Sequence, residues 1–313
     1  MPHNQSPAQA RPRLVFQKSS LHVNVLIGEL QDRNTKLTPP RKLTLSEAFN
    51  VPTAWTSDSK SVIFSSDRNG HWGIYKQELN RDSAETLVTS DNLLEARTSP
   101  DGKWILYDIR SYENKYSPYS SSGTVPLMRM PVTGGPSELV LTARLSDFWC
   151  ARSPSSLCAF SEPRSNRKEL VFTTFDPIRG KGHELARFAT DPNADYGWSL
   201  SPDGTRIAII KTGGNHVYVL PLEGSRVRDL TVAGWSGFRT FSWSIDGKGF
   251  FIGNKRGEGL DSNLLFVDLN GKPHPLWQQK SPPFTWGEPS PDGRHLAILG
   301  AEFSGNMWMI ENY

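Results

Sequence analysis

Carboxylates set beside aromatic rings recur along this chain at intervals of roughly 50 residues. Glu47 precedes Phe49, Glu95 follows Leu93 and Leu94, Asp147 adjoins Phe148, and Asp195 adjoins Tyr196; Arg239 then follows Phe238, and Trp286 and Glu288 follow Phe284. If a fold brought these positions to one place, the carboxylates could capture a calcium ion or a basic peptide, because several oxygens around one point favour a cation. A second concentration lies between Arg110 and Thr124, where Tyr112, Tyr116 and Tyr119 stand among Ser, Asn and Gly. Large amphipathic rings among small hydrogen-bonding residues are the composition of a recognition loop.

Catalytic constellations are weaker. Gly234-Trp235-Ser236-Gly237-Phe238 resembles a nucleophile elbow only loosely: its second glycine comes one position early and no helical pattern follows. The seven histidines are scattered without the spacing of a zinc site. Gly134-Gly135 and Gly213-Gly214 read as turns and not as phosphate cradles. The densest basic group, Arg164, Arg167, Lys168, Arg179 and Lys181, is interleaved with Glu162, Glu169, Asp176 and Glu184, which reads as a solvated rim and not as a nucleic-acid surface. Thirty-five basic side chains against 32 acidic ones give a formal charge of +3, too small to call for a polyanionic partner. No run approaches the roughly 20 apolar residues of a membrane span. Met1–Arg13 is polar and has no apolar core of an export signal, so the chain reads as cytoplasmic as written, or periplasmic if a longer exported form exists. Cys150 and Cys158 flank a tight turn and are expected to be reduced core thiols.

The elements that must position these residues are repeated. Ser99-Pro100-Asp101-Gly102, Ser201-Pro202-Asp203-Gly204, Ser244-Ile245-Asp246-Gly247 and Ser290-Pro291-Asp292-Gly293 each lead into a β-branched or aromatic run. Thr56-Ser57-Asp58-Ser59 and the worn Ser153-Pro154-Ser155-Ser156 complete six copies, the last two expected to be looser. Proline presets the first turn angle, aspartate bonds locally, and glycine takes the positive φ that closes a hairpin. Each copy continues into a third strand, such as His71–Leu79 or His216–Leu222, and most into a fourth, such as Glu85–Thr89. Four strands at this period make a propeller blade. Twenty-six glycines and 23 prolines fit an all-β fold rich in turns, with few helices.

The segment Phe64-Ser65-Ser66-Asp67-Arg68-Asn69-Gly70-His71-Trp72-Gly73-Ile74-Tyr75, with the recurring Ser-Pro-Asp-Gly, resembles the repeat of the TolB-like, WD40-like (PD40) β-propeller family. The resemblance runs from about Leu14 to the end and implies a single propeller domain, residues 14–313, behind a disordered tail, residues 1–13. Arg13–Ser20, Leu21–Leu30 and Arg41–Leu45 read as second, third and fourth strands of an incomplete first blade, and Asn306–Ile310 as the third strand of the last. A seven-bladed ring is expected on that count, six blades being the alternative if the N-terminal strands complete the last blade. The resemblance further implies a bacterial, non-catalytic module, read here as a monomer that binds a protein or peptide on its top face. Loops entering the first strands share that face with the Tyr112–Tyr119 loop. The alternatives are a propeller hydrolase or lyase with a channel metal, and a sensory domain detached from a regulator or kinase.

Overall fold

The structure, a computed structural model, describes residues 13–110, 123–164, 166–224, 226–255, 261–280 and 285–311. The turns that the repeat marks join the first strand of a blade to the second, as Leu93–Thr98 to Trp104–Arg110 in blade two. In blade two the Ser99 hydroxyl donates to Asp101 Oδ1 at 2.6 Å, and that oxygen also accepts the Lys103 backbone N–H at 3.1 Å. Ser99 Oγ accepts the Trp104 N–H at 3.0 Å, while the Ser99 carbonyl accepts the Gly102 N–H at 2.9 Å. Serine is therefore the hub of the turn, touching both of its strands, and aspartate locks the hub. Burial pushes the Asp101 carboxyl up, but the Ser99 hydroxyl and the Lys103 N–H outweigh it and hold the group below its ordinary value. The same bonds recur at Ser201–Asp203, Ser244–Asp246 and Ser290–Asp292. Blade one builds the turn from Thr56 and Asp58, with Ser59 at φ 61° in glycine's place, so the departure does not loosen it.

The turns also pack in a ring at one end of the molecule. A Cβ on Gly102 would lie 2.6 Å from Ser57 Cβ of blade one, and a Cβ on Gly204 would lie 2.5 Å from Ser155 Oγ of blade three. The Asp292 N–H donates to Ser59 Oγ at 3.0 Å, joining blade six to blade one. Glycine at these positions therefore serves both its positive φ and the close approach of the neighbouring blade.

Six blades surround the axis, as the sequence alternative had it, and not seven. Blades one to five are four-stranded antiparallel sheets that start from the innermost strands Asn50–Trp55, Leu93–Thr98, Asp147–Cys150, Tyr196–Leu200 and Phe238–Trp243. Blade six takes its two inner strands, Gly287–Pro289 and His295–Glu311, from the C-terminal end. Its outer strands, Arg13–Gln31 and the short Lys36–Leu37 and Arg41–Lys42, come from the N-terminal end. The expected break between Ser20 and Leu21 does not exist. Arg13–Gln31 is one strand in unbroken register from Arg13↔Glu311 to Glu29↔His295, because Ser19 and Ser20, at the expected break, pair with Gly305 and Ser304, the hydroxyls of Ser20 and Ser304 meeting at 2.7 Å. Asn306–Ile310 likewise continues the second strand of blade six and is not a third strand. This pairing removes the two sheet edges that an open ring would leave.

Between blades the core is aromatic and aliphatic, and its indole N–H groups reach across. Trp55 donates to the Glu288 carbonyl (2.9 Å), Trp198 to Ser161 Oγ (2.7 Å) and Trp243 to the Ser199 carbonyl (3.1 Å). Each buried ring thus has its polar atom satisfied while filling the wedge between two sheets. Cys150 and Cys158 are directly opposite on the first two strands of blade three and are joined as a disulfide. The reduced thiols expected from the sequence are corrected by that register, which brings the two Cα atoms within 4.0 Å.

Candidate functional site

Alternation along each innermost strand sends every second side chain toward the central channel. The cross-strand register identifies two equivalent channel positions per blade. Nearer the strand starts lie Glu95, Asp147, Gly197, Thr240 and Trp286; one step deeper lie Arg97, Trp149, Ser242 and Glu288. Together with Trp198 and Phe241 they line a cavity whose water-accessible space is about 40 Å³. That is room for about three or four water molecules, or for the tip of one side chain.

Arg97 is the pivot of the deeper ring. It is buried, its guanidinium lies 4.1 Å from the centroid of the Trp149 ring, and its Nη1 donates to the Thr53 and Ala96 carbonyls at 3.3 and 3.0 Å. Its Nε is buried without a hydrogen-bond partner. Burial works against the Arg97 charge, but Glu95, Asp147, Glu288 and Asp108 outweigh it and hold the group protonated. Behind Glu95, Asp108 and Arg110 form a buried pair, with Arg110 Nη2 2.6 Å and Nε 2.7 Å from Asp108 Oδ2. Arg110 Nη2 also donates to the Ser146 carbonyl at 2.9 Å and stands 3.7 Å from Glu95 Oε2.

The carboxylates facing these cations are strained electrostatically. Burial first, and the neighbouring Glu95 second, push Asp147 up to about 7 against the pull of Arg97 and Arg110. Asp147 Oδ1 accepts the Phe148 N–H at 2.7 Å and Oδ2 accepts the Trp149 indole N–H at 3.2 Å. Burial also raises Glu288, opposed by Arg97 and by the half-buried Arg152. With Asp108–Arg110 counted as a neutral pair, three carboxylates (Glu95, Asp147, Glu288) face two inner guanidiniums (Arg97, Arg152), and the third cation, Arg239, lies exposed at the mouth. Away from the mouth one negative charge is left over, and Asp147 holds a proton near neutral pH, chiefly because it is buried and secondly because Glu95 stands beside it.

Of the residues singled out from the sequence, Glu95, Asp147, Arg239, Trp286 and Glu288 line this cavity, with Arg239 exposed at its mouth. Asp195 sits outside it and pairs with Arg167 at 3.0 Å. Tyr196 packs on Phe188, its hydroxyl accepting the Asp191 N–H at 3.0 Å. Glu47 is exposed and does not line the cavity. Tyr112, Tyr116 and Tyr119 lie outside the described residues. Arg97, Trp149 and the Asp108–Arg110 pair were missed. The first two were within reach of the sequence, since each stands two residues after a chosen carboxylate and so shares its face. Among the described residues no three His, Cys, Asp or Glu side chains converge as a metal site requires. No helix among the described residues is long and apolar enough to cross a membrane.

No protein-family model matches the chain, and none of the curated proteins does. Solved structures do. A TolB-type protein of Agrobacterium tumefaciens superimposes with a TM-score of 0.64 over 90% of this chain and 99% of that one, at 19% identity. TolB of Acinetobacter baumannii gives 0.58 over 90% of this chain and 66% of its own, at 18% identity. An oligogalacturonate lyase of Vibrio parahaemolyticus gives 0.50 over 88% and 77%, at 14% identity. At such identities the likeness is one of fold, and the chain is a six-bladed propeller of the architecture that TolB proteins share.

Proposed function

We propose that the protein is a non-catalytic recognition module that takes one cationic side chain of a protein or peptide partner into its channel. The observation that carries this reading is the charge balance of the cavity. Behind the exposed Arg239 at the mouth, Glu95, Asp147 and Glu288 outnumber the inner guanidiniums of Arg97 and Arg152 by one, and the raised Asp147 carboxyl stores a proton where a ligand's ammonium or guanidinium would neutralise the site. Trp149, Trp198, Trp286 and Phe241 supply aromatic walls on which such a group can rest. The size of the cavity argues for a side-chain tip over a sugar ring, so a lyase reading has less support than the fold alone would lend it. The TolB-like neighbours fit a binding module as well. The Cys150–Cys158 disulfide favours an oxidising compartment, and so an exported form of the protein.

The test is a peptide array in which Lys and Arg are placed at each position of neutral sequences, read with the intact chain and with Glu288→Gln. Binding confined to basic peptides and weakened at least tenfold by the variant is expected. Indifference to peptide charge would overturn the reading, and turnover of oligogalacturonate by the unmodified chain would favour the lyase alternative.

A further inference from the structure

The ladder that closes the ring does not stop where the propeller does. Val23, Leu299 and Ala301 belong to the buried core, packed with Phe49 and Val51. Beyond them the two strands continue paired from His22↔Glu302 to Arg13↔Glu311, an arm about 30 Å long. Cross-strand pairs assign its faces. Leu14↔Ile310 and Phe16↔Trp308 make an apolar cluster on one side; Val15↔Met309, Met307 and the pair Leu21↔Phe303 lie on the other. All nine of these side chains are exposed, from 38% for Leu21 to 79% for Met307. Both edges are open as well. Among the described residues, the outer backbone partners of the N-terminal strand begin only at Val23, bridged to Phe49, and those of the C-terminal strand end at Leu299, whose N–H donates to the Trp286 carbonyl.

A two-stranded ribbon wet on both faces has little stability of its own. At roughly 100 Å² apiece, the four side chains of one face expose on the order of 400 Å² and the five of the other on the order of 500 Å², so each face alone is as large as the roughly 300–600 Å² of the largest patch on a typical monomer. The two faces together reach the roughly 800 Å² that each partner contributes to a stable complex, so both must be covered. The arm carries no polybasic cluster suited to an anionic membrane: Arg13 and Lys18 are its basic residues, and Glu302 on the same ribbon is paired with Lys42 at 2.9 Å. Two apolar faces with open edges and little net charge fit best against a surface of the same kind.

We infer that the arm is a self-association element and that the protein is a dimer held by the packing of the arms of two copies, in place of the monomer expected from the sequence. The experiment is sedimentation velocity of the full chain from 1 to 100 μM, alongside Phe16→Ser/Trp308→Ser and, separately, Met307→Gln/Met309→Gln. Near-ultraviolet circular dichroism and the melting temperature serve to confirm that each propeller is folded. A species of twice 35.0 kDa is expected for the unmodified chain, with dissociation constants raised at least tenfold in both folded variants. A folded unmodified chain that stays monomeric at 100 μM would overturn the inference, as would a dimer that survives both variants. So would a monomer that floats with phosphatidylcholine vesicles through the arm.

Discussion

Replacing Asp147 by Asn tests the electrostatics of the channel without depending on any ligand. The native carboxyl titrates near 7, against 3.8 when unperturbed. Between those two values the folded protein keeps a proton that the unfolded chain has lost. Stability therefore falls as pH rises through that window, by about 1.4 kcal/mol per unit, and is level on either side. Across about three units the loss amounts to roughly 4 kcal/mol, and burial is the chief cause. Asparagine keeps the shape of the side chain and an oxygen for the Phe148 N–H but never ionises, so its contribution is level throughout. Urea unfolding followed by tryptophan fluorescence from pH 4 to pH 8 should show the variant gaining on the unmodified protein steadily up to about pH 7, and no further. Parallel curves would mean that Asp147 is ionised in the native state throughout. A variant that loses ground as pH rises would mean that Arg97 and Arg110 dominate the carboxyl instead of its burial, and the surplus negative charge would be gone.

The same proton should compete with a ligand cation: affinity for a basic peptide should rise up to tenfold per unit as pH approaches 7 from below, by isothermal titration, and then level off. Removing the disulfide with Cys150→Ser/Cys158→Ser should lower stability by about 2–3 kcal/mol, the entropy of a short closed loop; dithiothreitol should destabilise the unmodified chain alike and leave the variant unchanged in a thermal melt. Gly102→Ala should cost at least about 2 kcal/mol, because it puts a Cβ 2.6 Å from Ser57 at a φ of 68°. Ser59→Gly should be nearly neutral in the same assay, the relief of its left-handed backbone offset by loss of the bond from the Asp292 N–H. Asp108→Ala strands the Arg110 guanidinium in the interior and should cost about 3–5 kcal/mol in urea unfolding, far more than a surface pair such as Arg167–Asp195.

What the sequence made legible and what it hid follow from the range of the interactions concerned. The blades were readable because Ser99, Asp101 and Gly102, and their counterparts in other copies, complete their chemistry within a few residues of one another. Closure was left open between seven blades and six, because nothing local to Arg13–Gln31 states that its partner is His295–Glu311 at the other end of the chain. The two cysteines were ambiguous for a related reason: a spacing of eight suits two thiols or a bridge, and only the pairing of Cys150 with Cys158 decides. The channel lies between these cases. Counting back two and four residues from the hub serine of each intact Ser-x-Asp-Gly turn gives Arg97 and Glu95, Ser199 and Gly197, Ser242 and Thr240, Glu288 and Trp286. All but Ser199 line the cavity. In blade three, where the turn is worn, that count from Ser153 slips by two residues, to Ala151 and Trp149, and the register is needed to place Asp147 and Trp149 in the same two rings. The repeat thus carries the address of the channel in most blades, while the residues placed there follow no repeat: arginine, serine and glutamate occupy one equivalent position. A scaffold coded by similarity therefore presents a site coded by difference, and the opposite charges of Arg97 and Glu288 at that single address are the part of the molecule on which recognition would act.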